Sequence, residues 1–271
     1  MKCINKWICL SLLIAVSCVS GCGKTSAAIE QPYDVYATAA DFGLSSNGTA
    51  EAKSYFASDL CVSEDVAIGT DSTDSQVAEG AGTFNLETNT VVYAKNLYER
   101  LYPASTTKIL TAYIALKYCD DLDAMVTVSE NAVNQASDSS VCNLKAGDVI
   151  RLRDLLYGLM LRSGNDAAVA IAEYISGDVD SFAALMNQEA AAMGATRSHF
   201  VNPNGLPDEN HYTCVYDMYL IFSNAIKNDT FVSIIGTTSY DVTYTDASGE
   251  AVTHTWENTN QYLTGNATTP D

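Results

Sequence analysis

Two short patterns in this 271-residue chain bring together residue types capable of nucleophilic chemistry. The first is Ser105-Thr106-Thr107-Lys108. Positions i and i+3 of a helix share a face, so the serine hydroxyl and the lysine amine would point into one space. A serine attacks a carbonyl only with a neighbouring base, and a lysine supplies that base only when burial or another cation lowers its pKa. Pro103 suits the approach to a helix because it lacks the N–H that would go unpaired there. Backbone N–H groups near Ser105 would then be available to a developing oxyanion. By spacing alone, the pattern equally describes an N-cap serine followed one turn later by a solvated lysine.

The second pattern is Ser-x-Asn, which occurs three times: Ser45 to Asn47, Ser129 to Asn131, and Ser163-Gly164-Asn165. Turn chemistry accounts for the first two, which lie in polar stretches. The third lies between two strongly apolar segments, where a short polar loop held by buried helices presents functional groups; it also reads as a helix–helix turn with Gly164 at the bend. His199, His211 and His254 show no metal-ligand spacing, and no Gly-x-Ser-x-Gly is present for a nucleophile elbow. Gly23-Lys24-Thr25 is not a phosphate loop, because Cys18 stands where the upstream glycine belongs.

Several elements must position these groups. Residues 60–62 and 66–68 read as a first short strand, residues 71–75 as a polar loop, and residues 77–86 and 90–93 as a β-hairpin. Apolar residues at helical spacing predict helices over 105–118, 152–161, 166–175, 181–193 and 216–226, with Gly194 placed to end the fourth. Residues 240–244 and 252–256 flank Asp246-Ala247-Ser248-Gly249 as a second hairpin. Strands at both ends with helices between them predict an α+β fold whose antiparallel sheet is assembled from both termini.

Together the two motifs resemble the signature of the serine-type D-alanyl-D-alanine carboxypeptidases, the low-molecular-mass penicillin-binding proteins of peptidase family S11. The matching text runs through Tyr102-Pro103-Ala104-Ser105-Thr106-Thr107-Lys108 and Leu161-Arg162-Ser163-Gly164-Asn165-Asp166-Ala167-Ala168. It continues in Asn202-Pro203-Asn204-Gly205-Leu206-Pro207 and His211-Tyr212-Thr213. The resemblance implies a β-lactamase/transpeptidase-like α+β fold. It also implies an enzyme that removes the terminal D-alanine from peptidoglycan stem peptides through an acyl-enzyme trapped by β-lactams. Carried over, Ser105 is the nucleophile and Lys108 its base. Ser163 relays the proton to the departing D-alanine, and Asn165 binds the substrate backbone. No metal or cofactor is implied.

The family's third element, Lys-Thr-Gly, is absent; Leu263-Thr264-Gly265 has an apolar residue where a cation is needed and comes too early to replace it. This implies a chain truncated before that motif, with the C-terminal strands incomplete. Losing one oxyanion donor costs on the order of 10²–10³ in rate. A non-catalytic peptidoglycan-binding remnant is therefore the alternative reading. A β-lactamase would need a positioned base for deacylating water, and no glutamate stands in a matching motif.

Lys2 and Lys6 precede an apolar run that ends at Val19-Ser20-Gly21-Cys22. The run is a secretory signal too short to span a membrane, and its end resembles the lipobox of bacterial lipoproteins. Expected are a signal peptide over 1–21, lipid on Cys22, an acidic tether over 22–59 and a partial catalytic domain over 60–271. The product would be exported and anchored to the cell membrane by its lipid. Of eight cysteines, Cys61, Cys119, Cys142 and Cys214 remain in the body, as thiols or in any of three pairings. With 14 Lys and Arg against 33 Asp and Glu, the net charge of −19 repels phosphate backbones, which argues against nucleic-acid binding. An apolar fraction of 47% excludes wholesale disorder.

Overall fold

The computed structural model describes residue 57 and residues 59–69 and 78–265. The expected leader, Cys22, nearly all of the tether and the loop at 71–75 lie outside the described residues. The described elements belong to a unit running Asp59–Asp271.

Strands β1 (Ala81–Asn85) and β2 (Thr90–Lys95) form the first hairpin, antiparallel with a register shift at Thr83/Phe84. Its turn closes locally: the Asn85 side chain accepts the N–H groups of Glu87 and Thr88 at 2.9 and 3.1 Å. The strand expected over 60–68 is reduced to one bridge, Ile68 to Ala94. The Cys61 N–H donates to the Tyr219 hydroxyl at 2.9 Å instead of to a neighbouring strand.

A short 3-10 turn, Ala104–Thr107, leads into helix α1 (Lys108–Tyr118). Then come β3 (Met125–Thr127), α2 (Glu130–Val133), β4 (Val149–Arg151), α3 (Leu152–Leu161), α4 (Asn165–Ser176), α5 (Val179–Ala192), α6 (Val215–Ala225) and α7 (Asp229–Ile235). The second hairpin, β5 (Ser239–Thr245) and β6 (Ala251–Glu257), and the single turn α8 (Gln261–Thr264) complete the order. Leu263-Thr264-Gly265 thus sits at a helical turn that Gly265 closes, not on a strand.

Helix α1 runs through the middle. Leu110 and Ile114 pack with Phe182, Met186, Phe200 and Ile221. Ala112 and Ala115 face the larger core built by α3, α4 and Trp256. Helix α4 is buried from Asn165 through Ala172, and its alanines let neighbouring helices approach from all sides. Burying an aliphatic side chain contributes roughly 1.5–3 kcal/mol, so these two cores hold the elements that carry the motifs.

The fold is α+β with antiparallel sheets, as the sequence implies, but the two hairpins do not join. The first forms a two-stranded sheet; the second continues a four-stranded sheet of order β3-β4-β5-β6. Packing explains the separation. Phe84 of β1 stacks on Tyr219 of α6 at 4.2 Å, which holds the first hairpin on that helix. The second hairpin pairs with β4 and docks on α3, where Tyr240 stacks on Tyr157 at 3.7 Å. The Tyr240 hydroxyl donates to the buried Asp154 carboxylate at 2.6 Å, and Arg151 grips the same carboxylate through two N–H groups. Burial and this bond push the Tyr240 phenol well above its ordinary pKa.

Tyr240→Phe keeps the ring stack and removes the charge-assisted bond. It is expected to lower stability by about 1.5–3 kcal/mol, read from urea denaturation followed by circular dichroism.

Candidate active site

The 3-10 turn at 104–107 does what the motif's spacing only suggests. Three residues per turn place i directly beneath i+3, so Ser105 lies under Lys108 at the mouth of α1. Ala104 enters the turn in the left-handed region, at φ +48°, which costs a non-glycine residue on the order of 1–2 kcal/mol. The first backbone bond of the turn runs from the Thr106 N–H to the Pro103 carbonyl at 3.2 Å, so the Ser105 N–H precedes the ladder.

Lys108 is 2% exposed. Its Nζ donates to the Asn165 Oδ1 at 2.8 Å and to the Asn204 carbonyl at 2.8 Å, and it stands 3.1 Å from the Ser105 Oγ. Burial lowers its pKa from 10.5 to about 8, against the opposing influence of Cys142 and Asp166 nearby. The chemistry follows from counting protons. A neutral amine has two N–H groups and one lone pair, and the two carbonyl oxygens can only accept. In that state the lone pair faces the Ser105 hydroxyl.

Asn165 opens α4, and its backbone N–H donates to the Ser140 carbonyl at 2.8 Å. The loop before it differs from the expected bend at Gly164. Ser163 takes the left-handed conformation, at φ +55°, whereas Gly164 has φ −64°. Glycine is needed at 164 for space: a Cβ there would lie 2.4 Å from the Cys142 Sγ. Ser163 is half-buried on the same corner as Asn165, but its hydroxyl is not among the partners of Lys108. The structure therefore brings together Ser105, Lys108 and Asn165, and places Ser163 two residues before the last of them.

Of the other Ser-x-Asn triplets, Ser129 caps α2 by accepting the Ala132 N–H at 2.9 Å, while Ser45 and Asn47 lie outside the described residues. All four cysteines of the body are free thiols, with Cys61, Cys142 and Cys214 buried.

Part of the site carries no local signal. The Asn204 carbonyl belongs to a loop 96 residues from Lys108. Asn-Pro-Asn-Gly announces a turn, but nothing in it says which side chain the turn meets. That loop is pressed against the nucleophile: a Cβ on Gly205, at φ +86°, would stand 1.8 Å from the Ala104 carbonyl oxygen. Thr111 Oγ1 donates to the Pro203 carbonyl at 2.7 Å. His211 ties the far end of the loop to the same turn. Its Nδ1 accepts the Val201 N–H, so Nε2 carries the proton and donates to the Thr107 hydroxyl at 2.9 Å. Burial lowers its pKa to about 4, which keeps it neutral at physiological pH and structural in role.

An apolar groove of about 530 Å³ between β1 and α6 reaches Thr106 and is lined by Phe84, Ile109, Met218 and Phe222 among others. Neither Ser105 nor Lys108 lines it.

Comparison with known proteins gives one consistent family. The family model described as D-alanyl-D-alanine carboxypeptidase matches residues 69–270. A D-alanyl-D-alanine carboxypeptidase of Streptomyces sp. (strain K15) is 37% identical over 196 residues, which are 69% of this chain and 67% of the relative. The D-alanyl-D-alanine carboxypeptidase DacF of Bacillus subtilis (strain 168) is 35% identical over 59% of this chain, which spans 42% of that relative's length. The crystal structure of the Streptomyces K15 DD-transpeptidase superposes with a TM-score of 0.64 at 35% identity, covering 69% of this chain and 74% of the other. DacD from Francisella tularensis, a D-alanyl-D-alanine carboxypeptidase, gives 0.63 at 27% identity, covering 75% of this chain and 60% of its own.

Gly205→Ala forces a side chain into the Ala104 carbonyl and a strained φ on alanine. It is expected to lower stability by about 2–4 kcal/mol, measured by thermal or urea denaturation.

Proposed function

Because the chain belongs to the D-alanyl-D-alanine carboxypeptidase family, we propose that it removes the terminal D-alanine from peptidoglycan stem peptides through an acyl-enzyme on Ser105. The observation that carries this reading is the buried Lys108 amine, held by two oxygens that only accept and facing the Ser105 hydroxyl.

The steps follow from that arrangement. Neutral Lys108 takes the Ser105 proton as the Ser105 oxygen bonds to the carbonyl carbon between the two D-alanines. The charge gathering on the carbonyl oxygen falls to the Ser105 N–H at the open end of the 3-10 turn. Collapse breaks the C–N bond, and the departing D-alanine amine takes the proton from Lys108 by way of Ser163. Asn165 has a second task beyond holding the lysine: its side-chain amide N–H groups meet the substrate backbone. Water then cleaves the ester and restores both groups. A β-lactam entering the same path leaves its ring-opened acyl group on Ser105. No metal takes part in these steps.

For export and anchoring, we propose acylation of Cys22 after removal of residues 1–21, supported by the apolar run that ends in Val19-Ser20-Gly21-Cys22. Cys22→Ala is expected to move the protein from the membrane to the soluble fraction; unchanged retention would overturn the anchor.

A fluorescent penicillin is expected to label the protein at Ser105, with a rate that climbs as pH rises through about 8, since only unprotonated Lys108 is a base. Ser105→Ala should remove the label, and Lys108→Gln should slow it by about 10²–10⁴-fold. No labelling of the wild-type protein, beside a reacting control, would overturn the acyl-enzyme. Affinity for a D-Ala-D-Ala peptide without labelling would favour a binding protein instead.

A further inference from the structure

Asp166 follows Asn165 on α4 and is 1% exposed. Among the described residues it faces no cation in an ion pair; backbone N–H groups satisfy it instead. The Cys142 N–H donates to both of its oxygens, at 2.9 and 3.0 Å, and the Leu144 N–H donates to Oδ2 at 3.1 Å. The Ala167 N–H donates to Oδ1 at 2.9 Å. The last bond is local and belongs to any acid in a helix's first turn. The others are not, since they reach across 24 and 22 residues to a segment with no regular structure of its own. That segment is also where the Asn165 N–H finds the Ser140 carbonyl.

We infer that Asp166 is a positioning residue for the Ser105–Lys108 pair: its carboxylate fastens segment 140–144 to the start of α4 and so fixes the Asn165 amide oxygen that accepts a hydrogen bond from the Lys108 amine. The inference rests on the acyl-enzyme reading for its consequence, but not for its geometry. A carboxylate suits the task because both oxygens accept, whereas an asparagine there has one acceptor for three N–H groups and adds two donors with nothing to meet. Burying an unpaired charge is costly unless hydrogen bonds replace its water, and here backbone donors do so. The carboxylate has a second effect at a distance. Among the described residues, the titratable groups that act on the Lys108 amine are the Cys142 thiol from the segment and the Asp166 carboxyl from α4. Burial pushes the Cys142 thiol well above its ordinary pKa, so the charge that acts on Lys108 is that of the Asp166 carboxylate. Its charge favours protonated Lys108.

The test separates position from charge. Asp166→Asn is nearly the same size and is expected to cut the plateau rate of penicillin acylation by about 10- to 100-fold through misplacement of Asn165. Losing the negative charge lowers the Lys108 pKa, so the midpoint of the pH–rate profile should move to lower pH even as the plateau falls. Asp166→Glu restores the charge but not the reach, and should return the midpoint while leaving the plateau reduced. A merely structural residue would lower stability without moving the midpoint. A wild-type plateau together with a wild-type midpoint in Asp166→Asn would overturn the inference. If wild-type protein is not acylated, the proposed function fails, but direct titration of the Lys108 amine by NMR in wild type and Asp166→Asn still decides the matter. An unmoved amine midpoint there would overturn the role. If neither variant folds, amide exchange in wild type serves: slow exchange at Cys142 and Leu144 supports the clamp, and exchange as fast as in neighbouring loop amides overturns it.

Discussion

The structure turns on one ammonium group deprived of water. Lys108 lies in the first turn of a buried helix, and three oxygens from three stretches of chain surround its nitrogen. Taking a charge out of water is expensive, and among the described residues no carboxylate touches this one to offset the cost. The compromise is a cation that gives up its proton readily, with a pKa near 8. A salt bridge would have done the reverse, holding the proton and leaving the serine without a base. The two carbonyl partners orient the amine while adding no formal charge to it.

The supporting structure follows from that requirement. The Asn165 and Asn204 oxygens belong to buried residues, and each is held by its own set of bonds. Asn165 starts a helix buried through its first two turns and is tied to segment 140–144. Asn204 sits in a loop that Thr111 and His211 fasten to the α1 end of the nucleophile turn. Ser105 stands in a 3-10 turn entered through a strained alanine. Strain of this kind persists only where the surroundings over-determine it, and here the Asn204–Gly205 loop closes directly over that alanine.

What the sequence reveals depends on how local the cause is. The leucine-rich pattern over 152–161 coincides with the observed helix Leu152–Leu161, and the second hairpin falls where alternation and its Asp-Ala-Ser-Gly turn placed it. Strands of three residues, Met125–Thr127 and Val149–Arg151, have no room for a pattern and exist because a sheet is there to pair with. The seven-residue helix Asp229–Ile235 escapes notice for the same reason. The separation of the two hairpins is equally invisible, since it is set by aromatic stacking on α3 and α6. In the site, the serine and lysine are readable because they share one turn. The Asn204 carbonyl and the Asp166 clamp are backbone bonds between distant segments, which residue types alone do not encode. The bend at 163–165 is the instructive case: glycine suggested backbone freedom, but its use is to make room for a sulfur atom.

Trp256 has a practical consequence. The chain contains two tryptophans, and Trp7 belongs to the expected leader. Residues 22–271 carry a single indole, Trp256, 3% exposed on β6 and packed into the core that α3 helps to build. Its emission reports solvent entry beneath that hairpin, so this stretch of chain contains its own optical gauge for the loosening of one layer.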